Sequence, residues 1–236
     1  MKCIGLIGGM SWESTADYYR VINEEVKKRL GGLNSAKCIL WSVNFEEIEL
    51  YQRTNEWEKC GEILNDAAKN LEKAGADFII LCTNTMHKVT SIMLSNVNIP
   101  FLHIAEMTAE EVLKNNIKKI GLLGTKYTMS EDFYIKILEE HKLNVIVPNE
   151  NDQKIINDVI FKELCSGIIN TDSKSEYIRV IEKMIKNGME GLILGCTEIG
   201  LLIKEHDVPI KTFDTTIIHA KKAVEYAIEL GSPELT

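Results

Sequence analysis

The sequence predicts an α/β protein with two similar lobes, each built on a parallel sheet flanked by helices. Two observations support this fold class. Short apolar strands alternate with amphipathic helices along the chain, and landmarks of the first half recur in the same order in the second. Alternation of this kind implies right-handed βαβ units, in which neighbouring strands run parallel. The length of 236 residues permits either one large domain or two small ones.

The first half shows each element of this alternation. Residues 2–8 form an apolar strand that ends in glycines, and Ser11 can cap a helix that continues to about residue 30, before a pair of glycines. A second strand follows at 36–43. An apolar stripe then marks one face of a helix, and the run at 76–81, apolar apart from Asp77, is typical of a strand buried on both faces. The stripe consists of Trp57, Cys60, Leu64, Ala67, Leu71 and Ala74.

Three pairs of landmarks indicate an internal duplication. The pairs are a glycine in the first strand of each half, a cysteine after a buried strand, and a proline before a further strand. Their separations of 116, 114 and 109 residues are nearly constant. No long linker divides the halves, which favours two closely packed lobes. The pairs are Gly5 and Gly121, Cys82 and Cys196, and Pro100 and Pro209.

The composition favours a cytoplasmic protein that binds small molecules. With 27 Lys and Arg against 35 Asp and Glu the net charge is −8, whereas binding to nucleic acids or anionic membranes depends on clustered basic residues. The first residues lead directly into a strand, with no signal-peptide pattern, and no apolar run reaches the roughly 18 residues that span a bilayer. We therefore expect no nucleic-acid or membrane partner.

The six cysteines divide into two groups. Their dispersed spacing matches neither a zinc motif nor a disulfide scaffold, so we expect free thiols. Four lie within strand or helix patterns and are interpreted as core packing, since a free cysteine usually behaves as a small hydrophobe. These four are Cys3, Cys38, Cys60 and Cys165. Cys82 and Cys196 differ, because each follows a buried strand at the edge where open α/β sheets bind ligands.

Cys82 and Cys196 suit a reaction with two opposed acid/base groups. Each precedes residues that can open a helix, whose N-terminus favours thiolate over thiol, so we expect a lowered pKa at both. A two-fold relation between the lobes would place the thiols opposite each other across a cleft. One could then remove a proton from a carbon and the other return one to the opposite face, which is racemisation or epimerisation. For either cysteine alone, core packing remains the simpler interpretation.

Polar residues directly after the two cysteines are candidates for binding a substrate. Their side chains and backbone N–H groups could stabilise the negative charge of a carboxylate or a carbanion. The same side chains could equally cap the helices that follow, and both roles can coexist. The candidates are Thr83, Asn84, Thr85 and Thr197.

The sequence contains no strong cofactor or metal motif. The glycines at 8–9 and at 124 could admit a ligand carboxylate or make tight turns, but neither segment matches the pattern of a dinucleotide site or a P-loop. One set of metal ligands is conceivable, yet it lacks short paired spacings, so we expect no metal. That set is Cys82, His87, Cys196 and Glu198.

Three segments carry a family resemblance. Residues 5–15 read GLIGGMSWEST, residues 82–87 read CTNTMH and residues 195–199 read GCTEI. Together they resemble the aspartate racemases of the aspartate/glutamate racemase superfamily. The resemblance implies a cofactor-independent amino-acid racemase, usually a homodimer, with two pseudo-symmetric, Rossmann-like lobes and the active site in the cleft between them. It also implies that Cys82 and Cys196 are the two proton donor/acceptors.

The resemblance further implies domain limits and substrate contacts. In members whose final helix returns to the first lobe, the lobes would be 1–100 plus 211–236, and 101–210. Arg53 lies near a position where some aspartate racemases use an arginine for the second carboxylate. Those enzymes also carry a lysine where this chain has Ser166, a role that Lys162, one helical turn earlier, could take. The other implied contacts are Met10, Gln52, Thr83, Asn84, Thr85, Thr125 and Thr197.

We therefore expect a pyridoxal-phosphate-independent amino-acid racemase, with aspartate as the first substrate and glutamate or other amino acids next. Because both cysteines are present, the reaction should run in both directions. Two alternatives stay open. One is another reaction on the same scaffold, such as hydantoin racemisation or a cysteine-dependent isomerisation or decarboxylation. The other is a non-catalytic two-lobed binding protein, which would keep the cleft without needing both thiols.

Overall fold

The computed structural model describes residues 1–229, which form two compact units. The first unit comprises Met1–Ile104 and the chain from His219 onward, and the second comprises Ala105–Ile218. From the sequence, the chain is expected to leave the first lobe near residue 100 and to return to it near residue 210. In the structure the return comes later, after Ile218, because Lys211–Asp214 is a strand of the second sheet. Residues 230–236, which the expected first lobe includes, lie outside the described part of the chain.

The first unit holds a parallel sheet, with four strands among the described residues. Its elements in chain order are β1 (Ile4–Gly8), α1 (Trp12–Leu30), β2 (Cys38–Ser42), α2 (Phe45–Arg53), α3 (Trp57–Lys73), β3 (Phe78–Leu81), a 3-10 turn (Thr85–Val89), α4 (Thr90–Met93) and β4 (Phe101–Leu102). The strand order is β2-β1-β3-β4. β1 and β3 are therefore central, and every residue of both is buried.

The second unit holds a parallel sheet of the same strand order, β6-β5-β7-β8. Its elements are α5 (Ile104–Lys114), β5 (Lys119–Gly124), α6 (Lys126–Ser130), α7 (Asp132–Glu140), β6 (Asn144–Ile146), α8 (Glu150–Lys162), a 3-10 turn (Leu164–Ser166), α9 (Thr171–Lys186), β7 (Gly191–Gly195), α10 (Ile199–Leu202), a 3-10 turn (Glu205–Asp207), β8 (Lys211–Asp214) and α11 (Thr215–Glu229). The last of these helices begins in the second unit and ends in the first. The predicted α/β fold class is confirmed.

The landmarks that repeat in the sequence occupy matching places in the two sheets. The glycines lie in β1 and β5, the cysteines directly follow β3 and β7, and the prolines precede β4 and β8. Each pair of matching residues therefore lies on, or next to, strands that occupy the same position in the two sheets. This correspondence supports the inference of a duplication.

Alternate residues of the central strands face two apolar clusters in the first unit. Ile4 and Leu6 belong to a cluster with residues of α1 and α11, whereas Ile7 belongs to a cluster with residues of α3. A strand covered on both faces needs apolar residues at every position, which explains the continuous apolar runs in the sequence.

Local signals in the sequence predicted the two longest helices of the first unit, α1 and α3, correctly. The hydroxyl oxygen of Ser11 accepts the N–H of Ser14 at 3.3 Å and caps α1, and Gly31 ends that helix with a φ of 70°. In α3 the buried residues include four of the predicted stripe, namely Cys60, Leu64, Ala67 and Leu71. Shorter helices such as α2 and α4 were not predicted. Within residues 1–229, no helix combines the length and apolar character needed to cross a membrane.

Candidate active site

Cys82 lies at the carboxyl end of a central strand of the first unit. It directly follows β3, and its N–H donates to the carbonyl of Ile7 in β1 at 2.9 Å, so the backbone stays beside β1. The side chain is fully buried in the cluster that includes Ile80 and Ala220. The thiol therefore lies at the predicted edge of the sheet, but inside the apolar core.

Polar residues are buried in the loop that follows Cys82. Thr83, Asn84 and Thr85 are each at most 8% exposed, at the point where β3 gives way to the 3-10 turn. Gln52, at the end of α2, donates its side-chain N–H to the sulfur of Met86 in that turn at 2.9 Å. Buried polar groups are normally hydrogen-bonded, and their concentration at a strand end is typical of a ligand site.

The remaining candidates of the first unit differ in exposure. Met10, which follows β1, is buried in the same apolar cluster as Met86. Arg53 is next to Gln52 in sequence, yet its side chain is 65% exposed and lies 3.5 Å from the carboxylate of Glu49. The structure thus groups Met10 and Gln52 with the loop after Cys82 and places Arg53 at the surface.

Cys196 occupies the corresponding position in the second unit and contacts a carboxylate. Its thiol donates to Oε2 of Glu198 at 3.0 Å, and the hydroxyl of Thr197 donates to the same oxygen at 2.8 Å. Cys196 is 8% exposed and Glu198 only 3%. The sequence indicates Glu198 only as a conceivable metal ligand and as a residue that can open a helix. The signal that could have found its role is a carboxylate two residues after a cysteine at a strand end.

The pKa of both thiols is raised, so the expected lowering is wrong. Burial raises the pKa of Cys82. Burial also raises the pKa of Cys196, and the negative charge of Glu198 adds to the effect. The helices expected to stabilise a thiolate are a 3-10 turn after Cys82 and the four-residue α10 after Cys196, which are too short for a substantial macrodipole. Both sulfurs are therefore thiols at neutral pH.

Thr125 and Lys162 lie in different environments. Thr125 follows β5, is 5% exposed, and caps α6 by accepting the N–H of Thr128 at 3.4 Å. Lys162 ends α8, is 72% exposed, and forms an ion pair with Asp158 at 3.0 Å. Ser166 is exposed in the 3-10 turn after α8. Lys162 is therefore a surface residue with a charged partner in this structure.

Close packing explains the glycines at the strand ends. A Cβ at Gly8 would overlap the side chain of Thr15, and one at Gly9 would overlap the carbonyl of Val43. Gly9 has a φ of 92°, and its N–H donates to the hydroxyl of Thr15 at 2.8 Å. At Gly124 a Cβ would lie 2.8 Å from the carbonyl oxygen of Gly195. These contacts support the tight-turn interpretation.

The predicted packing cysteines differ in burial. Cys60 is fully buried and its thiol lies 3.7 Å from the carbonyl of Ile48. Cys3, Cys38 and Cys165 are only partly buried. Among residues 1–229, no group of three or more His, Cys, Asp or Glu is arranged to hold a metal ion.

The sequence model of a family described as Asp/Glu/Hydantoin racemase matches residues 7–223. The chain belongs to this family. The matched span includes the segments around Cys82 and Cys196, and the family resemblance predicted from the sequence is confirmed.

Several similar proteins are known. The crystal structure of a candidate Asp/Glu racemase from Yersinia pestis is 50% identical with a TM-score of 0.90, covering 97% of this chain and 100% of that one. An aspartate racemase homologue from Pyrococcus horikoshii OT3 is 43% identical with a TM-score of 0.81, covering 96% and 99%. The broad specificity amino-acid racemase RacX from Bacillus subtilis (strain 168) is 24% identical over 233 residues, 94% of this chain and 96% of that protein. Membership of the family supports amino-acid racemase activity, which is an isomerase reaction.

Proposed function

We propose that the protein is a cofactor-independent amino-acid racemase that uses Cys82 and Cys196 as its two acid/base groups. The main support is positional. Each cysteine is the first residue after a central strand, β3 or β7, in sheets of identical order, and each adjoins buried polar residues. Packing alone predicts no such correspondence between two thiols.

The chemistry requires one thiolate and one thiol. The thiolate takes the proton from Cα and becomes a thiol, while the electron pair of the C–H bond delocalises into the substrate carboxylate. The thiol of the second cysteine then donates its proton to the other face of Cα and becomes the thiolate. The net result is inversion at Cα, and the two sulfurs exchange roles. Donors around the carboxylate stabilise the carbanion, and Thr83, Asn84, Thr85, Thr125 and Thr197 are the proposed donors.

The first thiolate arises at Cys196 in this proposal. Both thiols are protonated before substrate binds, but of the two only Cys196 donates a hydrogen bond to a carboxylate among residues 1–229. Transfer of the thiol proton to Glu198 leaves the Cys196 thiolate and a neutral carboxylic acid. The ammonium group of a bound amino acid favours this transfer, because a nearby positive charge stabilises the thiolate.

Aspartate is the proposed first substrate, and glutamate or a broader range is the next possibility. Arg53 and Lys162 are the proposed partners for a second carboxylate, although each is exposed and ion-paired in this structure. Met10 and Gln52 complete the proposed contacts. We also expect a homodimer, which sedimentation at several protein concentrations tests directly. A cytoplasmic location stays a prediction from the sequence.

A panel of L- and D-amino acids in deuterated water tests the activity. Chiral chromatography should show formation of the opposite enantiomer of aspartate, and mass spectrometry should show one deuterium at Cα. Hydantoins belong in the same panel because the family description includes them. Turnover of hydantoins alone would favour that alternative, and ligand binding without exchange of any Cα proton would favour a binding protein.

Two cysteine variants test the mechanism. Replacing either Cys82 or Cys196 by Ser should lower racemisation at least about 100-fold, since a positioned acid or base contributes about 10²–10⁴ in rate. The matched control is Cys38→Ser, a partly buried thiol on the edge strand β2, which should retain activity. Full activity in either single variant at the proposed site would refute the two-cysteine assignment.

A further inference from the structure

Three histidines are clustered in the first unit and take no part in the proposed proton transfers. The ring centroids of His87 and His103 are 4.4 Å apart, and those of His87 and His219 are 6.3 Å apart. His87 lies in the 3-10 turn directly after the loop that carries Cys82, and both His87 and His219 are buried. His87 is also the histidine that contacts the loop after Cys82, through the carbonyl of Thr83.

Hydrogen bonds to the backbone fix the orientation and tautomer of His87. Its Nε2 lies 3.2 Å from the N–H of Ile104, the first residue of α5, and must accept from it. Nε2 therefore carries no hydrogen. Its Nδ1 lies 2.8 Å from the carbonyl oxygen of Thr83, so Nδ1–H donates to that oxygen. The ring is thus neutral and bridges two backbone groups.

The surroundings keep this ring neutral. Burial lowers the pKa of His87 well below its ordinary value, and the neighbouring His103 and His219 lower it further. These are the titratable groups that face it, from the segment between β4 and α5 and from α11, with Tyr18 of α1 beyond His219. A proton on Nε2 would oppose the N–H of Ile104 and break the hydrogen bond that it donates.

We propose that His87 is a positioning residue for the thiol of Cys82. Its ring holds the carbonyl of Thr83, the residue next to Cys82, at a fixed distance from the start of α5. The backbone of the loop that presents Cys82 and the proposed substrate contacts therefore has one orientation. This inference rests on the proposed function, because it assigns His87 a role in proton transfer through Cys82.

Loss of this bridge should affect the two proton transfers differently. Proton transfer to or from Cys82 should slow, while transfer at Cys196 keeps its geometry. For the enantiomer whose Cα proton goes to Cys82, the primary deuterium isotope effect on kcat/KM should rise. For the other enantiomer it should fall, because removal of its proton by Cys196 becomes less rate-limiting. A variant that merely contained less folded enzyme would change neither isotope effect.

Three substitutions separate the two ends of the bridge. An asparagine side-chain N–H can occupy the place of Nδ1, so His87→Asn keeps the donor to Thr83. A glutamine oxygen can occupy the place of Nε2, so His87→Gln keeps the acceptor for Ile104, and His87→Leu keeps neither. We expect kcat to fall about 10- to 100-fold in the Leu variant, since a displacement near 1 Å can lower a rate about 100-fold. The Asn and Gln variants each lose one end of the bridge, so both should lose activity, though less than the Leu variant.

His141 provides a matched control. Its Nδ1 lies 2.8 Å from the carbonyl of Ile137, four residues earlier, which is the same local bond in the second unit at the end of α7. His141→Leu should leave kcat and both isotope effects unchanged. Equal losses in the His87→Leu and His141→Leu variants would overturn the proposal, as would unchanged isotope effects in folded His87 variants.

Two readouts do not depend on activity. Nitrogen NMR of the wild-type imidazoles at pH 7 should show His87 with a protonated Nδ1 and a bare Nε2, and the opposite tautomer would overturn the proposal. Alkylation followed by peptide mass spectrometry should show a changed ratio of Cys82 to Cys196 labelling in the His87→Gln variant, but not in the His141 control. If the wild-type protein racemises nothing, the proposed function fails, and these two readouts still decide the bridge.

Discussion

Acid should destabilise the first unit through its buried neutral histidines, and His219 allows the size of the effect to be calculated. His219 is fully buried, with the hydroxyl of Tyr18 donating to its Nδ1 at 2.9 Å and its Nε2–H donating to the carbonyl of Leu102 at 2.9 Å. Burial lowers its pKa from 6.5 to about 4. Since the unfolded chain has the ordinary pKa, it binds a proton between these two values while the folded protein does not.

The sign and magnitude follow from proton linkage. The contribution of His219 to stability is complete above pH 6.5 and is lost progressively as pH falls toward 4. At pH 5.0 the free energy of unfolding should be lower by about 2 kcal/mol than at pH 7.5 from this residue alone. His103, whose pKa burial also lowers to about 4, and His87 act in the same direction. Carboxylates with lowered pKa values contribute mainly below this pH window.

The assay compares wild-type protein with His219→Gln at the two pH values. Glutamine can keep the donor to Leu102 but takes up no proton, so the difference between pH 7.5 and 5.0 should shrink by about 2 kcal/mol. Because two compact units can unfold separately, amide exchange of peptides from residues 1–30 should accompany the urea titration. The control is His206→Gln, since His206 is 82% exposed. An unchanged pH dependence in the His219 variant would refute the reasoning.

Three further predictions concern the site and its supports. In the Glu198→Gln variant the pKa of Cys196 should fall, because the charge of the carboxylate and its hydrogen bond to the thiol both raise that pKa. Alkylation of Cys196 at pH 8 should then be faster than in the wild-type protein, and slower labelling would contradict the prediction. Gly8→Ala should lower the free energy of unfolding by about 1–3 kcal/mol because its Cβ would overlap Thr15, and an unshifted urea midpoint would argue against that contact. If Arg53 binds a second carboxylate, Arg53→Ala should raise KM for aspartate about 10-fold or more and leave KM for alanine unchanged, with Lys162→Ala measured in parallel.

Features encoded in short segments could be predicted from the sequence. The run at 76–81, apolar apart from Asp77, indicated the buried strand β3, and Ser11 indicated the start of α1, because strand burial and helix capping depend on neighbouring residues. The repeat of Cys82 and Cys196 also predicted their matching places after β3 and β7, since equal spacing along similar strands leads to equal positions in the sheets.

Features that depend on distant residues could not be predicted. The pKa of Cys82 was expected in the wrong direction because burial beside Ala220, 138 residues away in sequence, outweighs any effect of the short turn that follows it. The bridge made by His87 joins Thr83 to Ile104, and the partner of His219 is Tyr18. The residues that meet in these contacts are too far apart in sequence for a local pattern to indicate them. The point at which the chain returns to the first unit, after residue 218, likewise depends on the pairing of β8 with β7.

The path of α11 has a consequence for how the chain matures on the ribosome. The second unit is a continuous stretch, so it can fold as soon as Ala105–Ile218 has emerged. The first unit is discontinuous, and Ala223, Val224 and Ala227 of α11 belong to the same buried cluster as β1 and α1. The residues of β1 and α1 must therefore wait for α11, which follows the whole second unit in the chain. Until then the first sheet exposes the apolar face that α11 later covers, and exposed surface of this kind is prone to aggregation.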